Sequence, residues 1–131
     1  MIVLSNIVEQ TVAPGQPITF DTVVMHTGTG ECHRANTGFI KMRCRGIYVV
    51  YFKANVSGTA PVSLVAETGG VPLPETTMVT TPAADTDLMN VSCMTSVNNC
   101  CCDYDRITVV NTSGADITVG ANPTLFVRRV A

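Results

Sequence analysis

A chain of 131 residues is the size of one ordinary domain, long enough to bury roughly 70% of its unfolded surface without metal or disulfide staples. Hydrophobic residues make up 46% and charged residues only 14%, so the surface is not densely charged and part of it is expected to face other protein. A net charge of −2 without a run of cations leaves no basic footprint for nucleic acid, and no segment approaches the ~18 apolar residues of a membrane span.

The apolar start, Met1 to Leu4, is too short for a signal-peptide core and follows no positive region, so export by the usual route is not expected. That favours free thiols over disulfides for the six cysteines. Helical periodicity is missing throughout. Stretches rich in Val, Ile and Thr recur instead between Gly, Pro, Asn and Asp clusters. They predict strands at Ile2 to Val8, Ile18 to His26, Gly38 to Cys44, Gly46 to Val56, Val62 to Ala66, Thr76 to Thr81, Met89 to Val97, Arg106 to Asn111, Ile117 to Ala121 and Thr124 to Val130. Turn chemistry such as Ala13-Pro14-Gly15, Ser57-Gly58, Gly69-Gly70 and Ser113-Gly114 separates them. With no repeat, linker or low-complexity tail, residues 1–131 read as one domain, in which residues 1–15 form a strand or arm available for docking.

Alternation along the strands assigns their faces. In GFIKMRC, Ile40, Met42 and Cys44 fall on a core side, while Lys41, Arg43 and the following Arg45 form a basic row opposite. In GIYVVYFKANV, one face is wholly apolar (Tyr48, Val50, Phe52, Ala54, Val56), yet the other also carries Ile47, Val49 and Tyr51 before turning polar at Lys53. An antiparallel sheet in a monomer ordinarily leaves one face polar, so the second apolar face needs a cover, and another subunit is the simplest one.

GIYVVYFKANV resembles the glycine–aliphatic–tyrosine strand of tumour necrosis factor ligands and complement globular heads. PITFDTVV, NTGFIKMRCRGIY, VSLVAETGGVPLP, DRITVVNTS and TLFVRRV are similar, in order, to further segments of that superfamily, so the resemblance spans residues 16–131. It implies an all-β, antiparallel, ten-strand jelly-roll sandwich assembled as a homotrimer. Tyr48 is then core, Tyr51 lines the threefold axis, and Ile47, Val49, Tyr51 and Phe126 form the trimer interface. Tyr104 stands where the superfamily has a Gly, the preceding CCCDYD is unusual, and no Gly-X-Y stalk precedes the head. The stalkless form resembles phage virion members, which implies a protein made in the host cytoplasm and carried on the virion.

Among reactive residues, Cys44 and Cys93 occupy inward-looking strand positions suited to buried free thiols. Cys100 and Cys102 share a face of an extended chain, so a disulfide formed by them stays open. His26, Cys32 and His33 flank TGTGEC, but no oxyanion hole or G-x-S-x-G elbow accompanies them, and they read as loop histidines and an edge thiol. Asp85 with Asp87, and Asp103 with Asp105, supply too few oxygens for a calcium site on their own. The three N-x-S/T triplets at Asn55, Asn90 and Asn111 read as incidental without a secretory leader. No catalytic residue, metal or cofactor is expected. The resulting expectation is a non-enzymatic trimer that decorates a capsid or forms a head fibre of a bacteriophage. Its partners would be capsid or other virion proteins, met through Lys41, Arg43 and Arg45. The alternative is an adhesin head of a phage tail fibre or bacterial surface protein, with Thr27 to Ala35 and Pro82 to Leu88 as apical loops for a host surface glycan. Neither nucleic acid nor membrane is an expected partner.

Overall fold

The computed structural model describes residues 1–33, 35–59, 61–99 and 105–131. These form β1 (Ile2–Ser5), β2 (Gln10–Val12), β3 (Thr22–His26), β4 (Glu31–His33), β5 (Phe39–Met42), β6 (Gly46–Gly58), β7 (Val62–Thr68), β8 (Val71–Pro72), a 3-10 turn (Pro74–Thr76), β9 (Met78–Thr80), β10 (Met89–Asn99), β11 (Asp105–Asn111), β12 (Ile117–Val119) and β13 (Thr124–Arg129). Two antiparallel sheets result. In the seven-stranded sheet β6 is the backbone of the arrangement: β10 runs along one edge of it, while β13 and β12 share the other edge end to end. Beyond β13 lie β1 and then β3, and beyond β12 lies β2. The second sheet runs β4-β5-β11-β7-β8, with β9 also paired to β7.

The core fills the space between the sheets. From β6, Tyr48, Val50, Phe52, Ala54 and Val56 are all buried, and they share one hydrophobic cluster with Ile40, Met42, Leu64, Ile107 and Val109 of the opposite sheet. Strand alternation assigned this face of β6 from sequence, and packing confirms it because period-two side chains cannot share a face in any other way.

Among the described residues thirteen strands stand where ten were expected, and the differences have local causes. The run Ile18 to His26 becomes a strand only at Thr22, because the Gln10 side chain replaces a strand neighbour at Thr19. Its Oε1 accepts from the Thr19 N–H at 3.0 Å, and its Nε2 donates to the Thr19 carbonyl at 2.9 Å. Before β9, Pro74 starts a 3-10 turn, and Thr76 is buried with its hydroxyl donating to the Leu73 carbonyl at 2.7 Å and accepting from the Ala66 N–H at 2.9 Å. Strand β9 therefore begins at Met78. Within residues 1–12, β1 and β2 both join the seven-stranded sheet, where Ile2 and Leu4 are fully buried, while Ile7 and Val8 protrude from the jog separating the two strands.

Candidate functional site

Local sequence puts apolar groups on the outer face of β6, and the sheet register extends them. Opposite Tyr51 stand Met94 on β10 and Phe126 on β13; opposite Phe126 stands Val3 on β1, and opposite Val3 stands Met25 on β3. Directly opposed residues share a face, so Met94, Tyr51, Phe126, Val3 and Met25 form one apolar row across five strands. Met94 is 69% exposed, Met25 47% and Tyr51 36%. Polar rows border it: Ser92, Lys53 and Thr124 on one side, Ser96 and Arg128 flanking Val49 on the other. Ile47, a further step along β6, is 42% exposed opposite Asn98.

The four interface residues read from sequence, Ile47, Val49, Tyr51 and Phe126, thus lie on one face. The same row takes in Val3, Met25 and Met94, which the sequence reading did not place on this face. Val3 carried a signal, since it sits between two core residues in a strand that is apolar on both sides. Met25 and Met94 had none beyond being apolar, because their place in the row depends on register.

Inside the sandwich, Tyr48 is fully buried, and its hydroxyl donates to the Cys44 carbonyl at 2.8 Å, with the Gly30 carbonyl at 3.3 Å. Burial, opposed by the hydrogen bond to Cys44, raises its pKa above 10.0. The ring anchors two loops at the Gly46 end of the barrel. Gly46 itself holds φ +149°, and a Cβ there would collide with the Arg129 side chain and the Ala131 carbonyl.

The basic row does not form on a single strand. Strand β5 ends at Met42, so Lys41 lies on β5 while Arg43 and Arg45 are exposed in the connection to β6. Arg43 N–H donates to the Gly30 carbonyl at 2.7 Å, the next in-register step of the β4–β5 ladder, after which the chain leaves the strand and the alternation expected through residue 45 is not kept. For the same reason Cys44 is not a core residue: it lies outside the strand, partly exposed. Cys93 does pack against the core, and burial raises its thiol pKa from 9.0. Cys32, Cys44 and Cys93 are free thiols. Cys100 and Cys102, with any pairing of theirs, lie outside the described residues.

The ring of His26 faces the Glu31 carbonyl at 2.8 Å, and that of His33 faces the Phe39 and Phe20 carbonyls at 2.8 and 3.1 Å. These contacts tie β4 to its neighbours. Among the described residues no group of three or more His, Cys, Asp or Glu side chains is placed to hold a metal ion, and no helix is long and apolar enough to cross a membrane. The two loops expected to be apical together lie at opposite ends. Thr27 to Gly30 follows His26, paired to Ile2 at the Gly46 end, whereas Pro82 to Leu88 leads into Met89, paired to Val56. Asn111 is fully buried, which closes that triplet to glycosylation, while Asn55 and Asn90 are exposed and bonded to each other at 3.3 Å.

Two antiparallel sheets organised around a long, doubly paired β6 define a β jelly roll of the tumour necrosis factor type. No family model matches the sequence, and no curated protein matches it by sequence. Solved structures do match in shape. The chain is similar to the Eiger TNF of S. frugiperda at a TM-score of 0.81 and 13% identity, covering 99% of this chain and 91% of that one. It is similar to the globular domain of zebrafish complement 1qA protein at 0.70 and 15%, covering 98% of each. With the PRD1 vertex protein P5 the score is 0.56 at 16% identity, covering 99% of this chain and 97% of that one. At such identities the likeness establishes the fold.

Proposed function

We propose that the protein acts without catalysis, as a homotrimer on the surface of a bacteriophage virion, in capsid decoration or a head fibre. The observation that carries the trimer is the apolar row Met94–Tyr51–Phe126–Val3–Met25, lying outside the sandwich, where the described residues leave Met94, Tyr51 and Met25 exposed. Closed symmetric assembly hides such a face without leaving a copy of it open. The number three rests on the resemblance of Gly46 to Val56 to the axial strand of trimeric heads. The virion setting is supported by the likeness to the PRD1 vertex protein P5, spanning 97% of that chain.

The experiment is light scattering on the purified protein and on Tyr51→Asp. The native chain is expected to run at three times its 13.9 kDa mass. The variant is expected to dissociate, because charges brought together in a desolvated interface cost several kcal/mol each. A stable monomer with the row open to water overturns the trimer. Mass spectrometry of particles from the encoding phage tests the setting, and absence of the chain from them removes it.

A further inference from the structure

Register sets parallel rows of side chains on the outer face of the second sheet. Lys41 stands opposite Arg106, Phe39 and Glu67 stand on either side of Thr108, and Pro17 and Val65 stand on either side of Val110. Ile107 and Val109 of the same strand belong to the core, so Arg106, Thr108 and Val110 point outward. A groove of about 500 Å³ lies over them, walled by Pro17, Glu67 and the turns at Gly15 and Gly69-Gly70. Every residue lining it is among those described.

The groove holds charges of both signs that do not neutralise each other. Arg106 lies 4.4 Å above the Phe39 ring, on one side of Thr108, and Glu67 lies on the other side. Phe39 and Glu67 stand two strand spacings apart, about 10 Å, too far for a direct ion pair between groups at those positions. Among the described residues neither Arg106 nor Glu67 is in one. The Phe39 ring meanwhile holds the guanidinium in place before any ligand arrives.

Chemistry narrows the ligand. A lone anion is drawn to Arg106 and repelled by Glu67, and a lone cation the reverse, so neither gains from the pair. An α-amino acid carries both charges on one carbon, too close together to reach both groups. A hydroxyl donates to a carboxylate, which only accepts, and accepts from a guanidinium, which only donates. A ring bearing several hydroxyls therefore satisfies Glu67, Thr108 and Arg106 at once, with charge-assisted hydrogen bonds at its two ends. Beside this polar row the groove is lined by Pro17 and Val110, an apolar surface for the C–H face of such a ring. Its volume falls within the range of about 300 to 1,000 Å³ usual for small-ligand sites.

We propose that this groove binds a neutral saccharide, with Glu67 accepting from its hydroxyls, Arg106 donating to them and Thr108 between. None of the lining residues belongs to the loops Thr27 to Ala35 and Pro82 to Leu88. The groove lies on the other sheet from the row Met94–Tyr51–Phe126–Val3–Met25, so assembly through that row leaves it open, and the inference does not depend on the trimer.

The test titrates maltose, lactose and N,N′-diacetylchitobiose into the full isotope-labelled chain and follows the amide signals of Glu67 and Thr108 by NMR. Saturable shifts at both are expected with at least one of these sugars. The affinity is expected to change less than about twofold between about 0.01 and 1 M ionic strength, because a neutral ligand is not screened. Glu67→Gln and Arg106→Gln are each expected to bind about tenfold more weakly, the worth of one charge-assisted hydrogen bond, and Thr108→Val about threefold. Arg43→Gln and Asp85→Asn, exposed charges outside the groove, are expected to stay within about twofold. Glu67 and Arg106 stand outside the core, so circular dichroism of their variants is expected to match the native chain. Should either lose the fold, Glu67→Asp and Arg106→Lys, which keep the charge and move it, are expected to show the same weakening. No saturable shift with any of the sugars, affinity unchanged in the groove variants, equal losses in the controls, or tighter binding of glucuronate or of the peptide Lys-Glu-Lys-Glu overturns the proposal. Light scattering of the same samples reads the trimer separately. A trimer that ignores the sugars removes only the groove, and a monomer that binds one removes only the trimer.

Discussion

Tyr48 shows how one side chain can serve both core and loops. Its ring is part of the hydrophobic cluster, and its hydroxyl reaches the Cys44 carbonyl, with Gly30 within 3.3 Å, where two connections meet. Tyr48→Phe keeps the ring and removes the donor, so a loss of about 1–2 kcal/mol is expected in urea unfolding at neutral pH. The folded-state pKa lies above 10.0, the ordinary value, so the unfolded chain ionises first as pH rises. The contribution is intact below pH 10.0 and is lost as pH climbs through the folded value. The alkaline limb of the native stability curve should therefore fall more steeply than that of Tyr48→Phe. Parallel limbs would show that Tyr48 does not titrate with unfolding.

At the scale of elements, pairing decides more than propensity. Thr19 lies in a run with every local mark of a strand, yet its backbone is satisfied by the Gln10 amide, with the Thr19 hydroxyl 3.1 Å from the same Oε1. Gln10→Ala leaves the Thr19 N–H and carbonyl without their partners. A loss of about 2–3 kcal/mol is expected, read as a lower denaturation midpoint at constant slope. Little change would mean that water or a shifted strand takes over the role. Strand β6 is the contrary case, where local pattern and tertiary use agree. Alternation separated Tyr48, Val50 and Phe52 from Ile47, Val49 and Tyr51, and the sandwich buries the first set and leaves the second outside.

For the whole molecule, the apolar sheet face makes a demand on solution conditions. A folded state that requires its neighbours gains stability by mass action, so the melting temperature should rise with protein concentration. Tyr51→Asp should abolish that dependence together with the trimer. A melting temperature independent of concentration in the native chain would mean that the row contributes nothing through assembly.

By itself the sequence determined the class of fold, the inward face of β6 and the second apolar face that points to assembly, because period-two alternation is a local property of an extended chain. It also placed Arg43 and Arg45 near Gly46, since they are its immediate neighbours in the chain. Tertiary structure alone decided which strands lie side by side. Val3, Met25 and Met94 join Tyr51 only through registers linking residues far apart in sequence. Arg128 and Arg129 likewise reach the end occupied by Arg43 and Arg45 only because β13 runs antiparallel to β6. Such long-range pairing is fixed by closing the sandwich over its core, a property no short segment carries.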